Sequence, residues 1–202
     1  MRDAAPFSVA VFCGSRPGRS PAFAGVAEAL GTAIGERGWR LVYGGGEVGL
    51  MGVTARAALD AGGPVLGVIP QRLLDREVGK RDLTELRVTA TMFERKADLI
   101  QEADAFVALP GGLGTLDEIL DVLTLRQLGY HAKPLLLLDH GGFWRPFADI
   151  VSRFVAAGFA DASAAHLYEL VGDLPGALAR LDLVAADPAR SERQPQGEVA
   201  AQ

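Results

Sequence analysis

A carboxylate, Glu118, stands three residues after a hydroxyl, Thr115, and both follow the glycines Gly111, Gly112 and Gly114. Around them Ala105–Glu118 runs apolar, breaks into glycines and restarts as an amphipathic helix. A strand, a tight turn and a helix N-terminus in that order gather backbone N–H groups and the positive end of a helix dipole at one spot, which suits a phosphate. Lacking Cβ, the three glycines permit positive φ and close approach of a ligand. The spacing has a second reading: Thr-x-x-Glu before an apolar run is also a helix capping box, in which Glu118 only bonds backward to the cap.

Two cations form the next candidate group. Thr91–Glu102 reads as a helix capped by Thr91 with Glu94 three residues on, so Arg95 and Lys96 lie near its positive end. That is unfavourable by about 0.5 kcal/mol each. Either a nearby anion offsets it or the long side chains run out into water.

A second glycine run, Gly44-Gly45-Gly46-Glu47-Val48-Gly49-Leu50-Met51-Gly52, matches G-x-G-x-x-G. A dinucleotide site also wants an acid at the end of the next strand, and Pro64–Ile69 ends without one. A P-loop is missing too, so a mononucleotide or sugar phosphate fits better. Between Gln71 and Leu86 the chain turns charged and irregular, with Arg72, Asp75, Arg76, Glu77, Lys80, Arg81, Asp82 and Glu85. This loop follows a strand's carboxyl end, where open α/β sheets bind ligands, and the spacing does not choose among its acids. Cys13 has no base placed beside it and reads as a small core residue.

The elements that position these groups alternate. Strands are expected at Ser8–Cys13, Arg40–Tyr43, Pro64–Ile69, Leu86–Thr89, Asp104–Leu109, Lys133–Asp139 and near Leu167–Val171. Between them run helices over Ala22–Arg37, from the second glycine run to about Ala61, over Thr91–Glu102, from the Gly111–Gly114 turn to about Leu128, over Gly142–Ala157 and from Leu174 to about Leu183. The alternation predicts a single Rossmann-like α/β domain over residues 1–186, doubly wound, with a mostly parallel sheet and helices on both faces. Asp187–Gln202 is polar and reads as a disordered tail. Two glycine turns at strand carboxyl ends then converge on one crevice.

Composition narrows the function classes. A chain of 202 residues that is 49% apolar can bury a sizeable core, and a formal charge of −5 argues against a nucleic-acid or anionic-membrane binder. One cysteine, no long apolar run and no signal peptide point to the cytoplasm. Three scattered histidines and that cysteine have no metal-ligand spacing.

Several separated motifs now agree. Phe12-Cys13-Gly14-Ser15, the second glycine run, Arg95-Lys96, Pro110-Gly111-Gly112-Leu113-Gly114-Thr115-Leu116-Asp117-Glu118 and Gln127-Leu128-Gly129-Tyr130-His131-Ala132-Lys133-Pro134 together resemble the Lonely guy (LOG) family of cytokinin riboside 5′-monophosphate phosphoribohydrolases, earlier described as lysine decarboxylase-like. The resemblance covers about Ser8 to Asp182. It implies hydrolysis of a nucleoside 5′-monophosphate to a free adenine-type base and ribose 5-phosphate, without metal or organic cofactor. It also implies a homodimer with the site near the subunit interface. By similarity Arg95 and Glu118 are the catalytic pair. Glu77, Lys96, Gly111, Gly112, Leu113, Gly114, Thr115, Leu116, Asp117 and Thr124, with Gly45 and Gly46 of the second run, belong to the substrate site. The resemblance also moves Glu118 from capping to catalysis, because a carboxylate beside the ribose can stabilise its developing positive charge and activate water.

The chain departs from the family pattern in places. Phe93 stands where many relatives have His, Asp117 where Glu is commoner, and Arg16 where Ser is frequent. Two other functions compete. A carrier of this fold would hold a nucleotide or molybdenum cofactor uncleaved. A lysine decarboxylase would need pyridoxal phosphate on a lysine, and neither Lys96 nor Lys133 has a supporting motif.

Overall fold

The computed structural model describes residues 5–75 and 82–187. Among them are seven strands in the order β4-β3-β2-β1-β5-β6-β7, and every pairing is parallel. The chain starts at the centre with β1 (Ser8–Phe12) and winds outward through α1 (Pro21–Glu36), β2 (Arg40–Tyr43), α2 (Gly49–Asp60), β3 (Val65–Pro70), α3 (Gln71–Leu74) and β4 (Glu85–Thr89). It returns through α4 (Met92–Glu102) to β5 (Ala105–Ala108) on the other side of β1. It then continues through α5 (Leu113–Gln127), β6 (Leu135–Leu138), α6 (Arg145–Ala156), β7 (Glu169–Val171) and α7 (Leu174–Ala185). The winding direction reverses between β1 and β5, which is where such sheets open a crevice.

Strand periodicity of two sorts the core into two layers. Val9 and Val11 of β1 and Val107 of β5 pack with Leu30 and Ile34 of α1, Leu50 and Ala58 of α2 and Leu181 of α7. Their alternates Ala10, Phe12, Phe106 and Ala108 pack with Leu99 of α4, Ile119 and Val122 of α5 and Phe147 of α6. Helices therefore cover both faces, and the sheet is wholly rather than mostly parallel. Among the described residues no helix is long and apolar enough to cross a membrane. The expected tail lies, past Asp187, outside the described residues.

Most boundaries fall within one or two residues of the periodicity reading, and two places differ by more. Gln71–Leu74, read as irregular, forms one helical turn. The helix expected from Gly142 begins at Arg145, because Gly141 and Gly142 both take positive φ. Asp139 fixes that corner by accepting the Trp144 N–H at 2.7 Å and Arg145 Nε at 3.3 Å.

Close contact of α1 with α2 depends on Gly31, where a Cβ would run into the Thr54 carbonyl and approach the Ala57 methyl to 2.9 Å. Gly31→Ala is therefore expected to destabilise the fold by about 2 kcal/mol. Gly25 of the same helix has open space around its Cβ position, and Gly25→Ala should stabilise by about 0.5–1 kcal/mol. Urea unfolding of the two variants checks both signs.

Candidate active site

The crevice is built by loops tied to one another through their backbones. Gly14 N–H donates to the Pro110 carbonyl at 3.1 Å, joining the loop after β1 to the loop after β5. Leu50 N–H donates to the Gly14 carbonyl at 3.0 Å, bringing in the start of α2. Between them opens a cavity of about 680 Å³ bordered by Gly14, Ser15 and Arg16, by Gly44, by Gly111, Gly112, Leu113, Gly114 and Thr115, and by Arg95 and Glu118. Leu73, Met92, Phe23 and Phe143 complete its apolar walls. Phe23 and Phe143 meet edge to face with centroids 6.0 Å apart.

At the helix opening toward the cavity, the N-cap of α5 is Gly112. Thr115 thus lies at the third helical position and cannot act as the cap, so the capping-box reading of Thr115 and Glu118 is overturned. The buried Thr115 side chain instead folds against Gly111, whose missing Cβ leaves the space for it. No side chain bonds the first turn of α5, so its N–H groups remain directed at the cavity. The capping box expected at Thr91 is present: Glu94 N–H donates to Thr91 Oγ1 at 3.1 Å, and Thr91 N–H donates to Glu94 Oε2 at 3.4 Å.

One turn into α5, Glu118 faces Arg95 of α4, with Arg95 Nη1 3.4 Å from Glu118 Oε1. Arg95 is only 8% exposed and does not run out into water. Its Nε donates to the Val68 carbonyl at 3.1 Å and its Nη2 to the Gly44 carbonyl at 3.3 Å. These carbonyls, one within β3 and one just past β2, with the carboxylate, offset the unfavourable end of the α4 dipole and leave the guanidinium one orientation. Burial pushes the Glu118 carboxyl up to about 7; Arg95 and Lys96 oppose the rise, and Asp117 and Asp121 add to it. A carboxyl with its midpoint near neutrality, held against a fixed cation in a crevice, suits proton transfer or support of a cationic intermediate.

The remaining expected site residues divide by position. Gly44 borders the cavity, but Gly45 and Gly46 do not. Gly45 has φ of +74°, and a Cβ there would approach Ile69 Cβ to 2.9 Å, so it serves the contact of this loop with β3. Leu116 packs into the core under α5. Lys96, Asp117 and Thr124 also lie away from the cavity wall, and Lys96 pairs with Asp117 and Asp121. Glu77 lies outside the described residues. Cys13 borders the cavity yet is buried, and burial raises its thiol out of the reactive range. The carbonyls that hold Arg95 carry no signal in residue type. Asp121, four residues after Asp117, was legible as its partner on one helix face.

Comparison with known proteins settles the relationship. A family model described as "Possible lysine decarboxylase" matches residues 51–181. The cytokinin riboside 5′-monophosphate phosphoribohydrolase LOG of Oryza sativa subsp. japonica is 48% identical over 151 residues, which are 75% of this chain and 62% of the rice protein. The cytokinin riboside 5′-monophosphate phosphoribohydrolase of Rhodococcoides fascians is 44% identical over 177 residues, 87% of this chain and 89% of that protein. The chain belongs to the LOG family. In fold, it also superposes on the Moco carrier protein of Chlamydomonas reinhardtii with a TM-score of 0.70, at 23% identity, over 91% of this chain and all of that one. Within the LOG family the older decarboxylase description finds no lysine to support it among the described residues. Lys133 Nζ is spent on the Ile100 and Gln101 carbonyls at 2.8 and 3.1 Å, and Lys96 on the carboxylates named above.

Proposed function

We propose that this protein hydrolyses the N-glycosidic bond of adenosine 5′-monophosphate or an N6-modified relative, releasing the free base and ribose 5-phosphate. The observation that carries the reading is the Arg95–Glu118 pair at the wall of a cavity whose neighbouring wall is the uncapped N-terminus of α5. In this reading Gly112, Gly114 and Thr115 hold the phosphate, which places the ribose one helical turn along, at Glu118. As the bond to the base breaks, its electron pair leaves with the base nitrogen and positive charge builds on the ribose. The Glu118 carboxylate stabilises that charge and accepts a proton from the water that adds to the anomeric carbon; the departing base nitrogen takes up a proton in turn, and loss of the proton from Glu118 restores the carboxylate. Arg95 fixes the carboxylate and stays charged throughout. The names of the rice and Rhodococcoides fascians relatives support the same reaction.

A homodimer in the cytoplasm is part of this proposal. Phe93, next to the cavity residue Met92, and Leu113 on the cavity border are 81% and 86% exposed, apolar surface that a second copy would cover. Sedimentation equilibrium tests the dimer; a monomer at micromolar concentration would remove it from the proposal.

The deciding experiment measures release of base and ribose 5-phosphate from AMP, from N6-isopentenyladenosine monophosphate and from the two free nucleosides. Monophosphates should be cleaved at least about 1000-fold more efficiently than nucleosides, because a site built to bind phosphate is left with unpaired donors without it. Tight binding of AMP with none of it cleaved would instead favour a carrier.

A further inference from the structure

Two adjacent cations on α4, Arg95 and Lys96, face two adjacent carboxylates on α5, Glu118 and Asp117. Only the first pair reaches the cavity. In the second, Lys96 Nζ lies 3.1 Å from Asp117 Oδ2 and 2.6 Å from Asp121 Oδ2, with the Phe93 ring centroid at 5.8 Å. The Lys96 side chain is 16% exposed, against 35% for Asp121 and 57% for Asp117, so the Asp121 pair is the better shielded of the two. Asp117 and Asp121 are one turn apart on α5, and the ammonium bridges them. Glu118 lies between them in sequence, and Arg95 adjoins Lys96. The bridge therefore sets the register of α4 against α5, and with it where the Glu118 carboxylate lies against the guanidinium.

We propose that Lys96 is a positioning residue for Glu118, acting through Asp117 and Asp121, rather than a ligand of the nucleotide. The inference rests on the hydrolase reading for what Glu118 does. To reach a substrate in the cavity, Lys96 would have to give up both carboxylates and leave Asp121 half-buried without its cation, which is costly.

Electrostatics supply an independent handle. The charged and titratable groups around Glu118 are Arg95 and Lys96 from α4, Asp117 and Asp121 from α5, and the Cys13 thiol just past β1. Without the ammonium, Arg95 alone opposes the two carboxylates, and the Glu118 proton is held more tightly. Without Asp121 the shift is the reverse.

The test compares wild type, Lys96→Met, Lys96→Arg and Asp121→Asn. Glu118 is titrated by ¹³C carboxyl NMR, assigned by its loss in Glu118→Gln, and AMP affinity is measured by calorimetry alongside kcat and KM. Lys96→Met should raise the Glu118 midpoint and lower kcat about 10- to 100-fold through misplacement, leaving AMP affinity and KM within threefold. Lys96→Arg should restore both, and Asp121→Asn should lower the midpoint with affinity unchanged. A tenfold loss of AMP affinity in Lys96→Met with the Glu118 midpoint in place would make Lys96 a ligand and overturn the proposal. If Lys96→Met does not fold, Asp121→Asn decides: an unmoved midpoint there overturns it equally. Failure of the wild type to cleave AMP would count against the hydrolase reading alone, since titration and affinity are read without turnover.

Discussion

Glu118→Gln should lower kcat for AMP about 1000-fold or more while AMP still binds, because it removes the carboxylate that, among the described residues, alone borders the cavity. The amide keeps the size of the side chain and can still accept from Arg95 Nη1, so near-UV circular dichroism should match the wild type. Turnover within threefold of wild type in a folded variant would exclude Glu118 from the chemistry. The wild type's pH profile belongs to the same prediction. Burial pushes the carboxyl up to about 7, and only its ionised form stabilises a ribosyl cation or accepts a proton from water. In wild type kcat/KM should therefore rise with pH, with a midpoint near 7, and be small at pH 5. A profile flat from pH 5 to 8 would mean that the group acts protonated or not at all. That acidic limb should vanish from the residual rate of Glu118→Gln.

Most of the framework could be read before any coordinates, for a simple physical reason. Fully buried parallel strands appear as short apolar runs, and glycine or Thr-x-x-Glu signals bracket the helices between them; β2 and the cap of α4 are found as the spacing has them. Where reading stopped short, the determining interaction was nonlocal. Thr115 and Glu118 have the spacing of a capping box, and only the position of Gly112 at the helix start makes them interior residues. Arg95 was suspect because a cation near a helix N-terminus wants an anion. Spacing alone could not say that the anion is the protein's own Glu118, which only the family resemblance paired with it, or that the Val68 and Gly44 carbonyls take the other two nitrogens. Lys96 shows the same limit, since its partners lie on another helix and the motif alone assigns it to the substrate. Strict alternation of the strands told which residues share a face, but the order β4-β3-β2-β1-β5-β6-β7, and hence the crevice between β1 and β5, depends on the crossover through α4.

Gly44→Ala should lower kcat about 100-fold, although it removes no functional group. A Cβ at position 44 would occupy the place of Arg95 Nη2 and stand 3.2 Å from Arg95 Cζ and 3.4 Å from Met51 Sδ. The guanidinium must then leave the Gly44 carbonyl, and because Val68 and Glu118 hold its other nitrogens it cannot move without breaking a further contact. Displacing it by about 1 Å shifts the Glu118 carboxylate with it, and misplacement on that scale costs about 100-fold in kcat. Position 44 needs no positive φ, so the backbone itself tolerates alanine and the loss should be one of activity more than of fold. Coupling tests the cause. If the methyl acts by pushing Arg95 aside, Arg95→Lys, whose side chain lacks the colliding nitrogen, should cost much less in the Gly44→Ala background than in wild type. Fully additive losses would place the effect of Gly44 in direct obstruction of the nucleotide, and a fully active Gly44→Ala would remove the need for the observed Arg95 geometry.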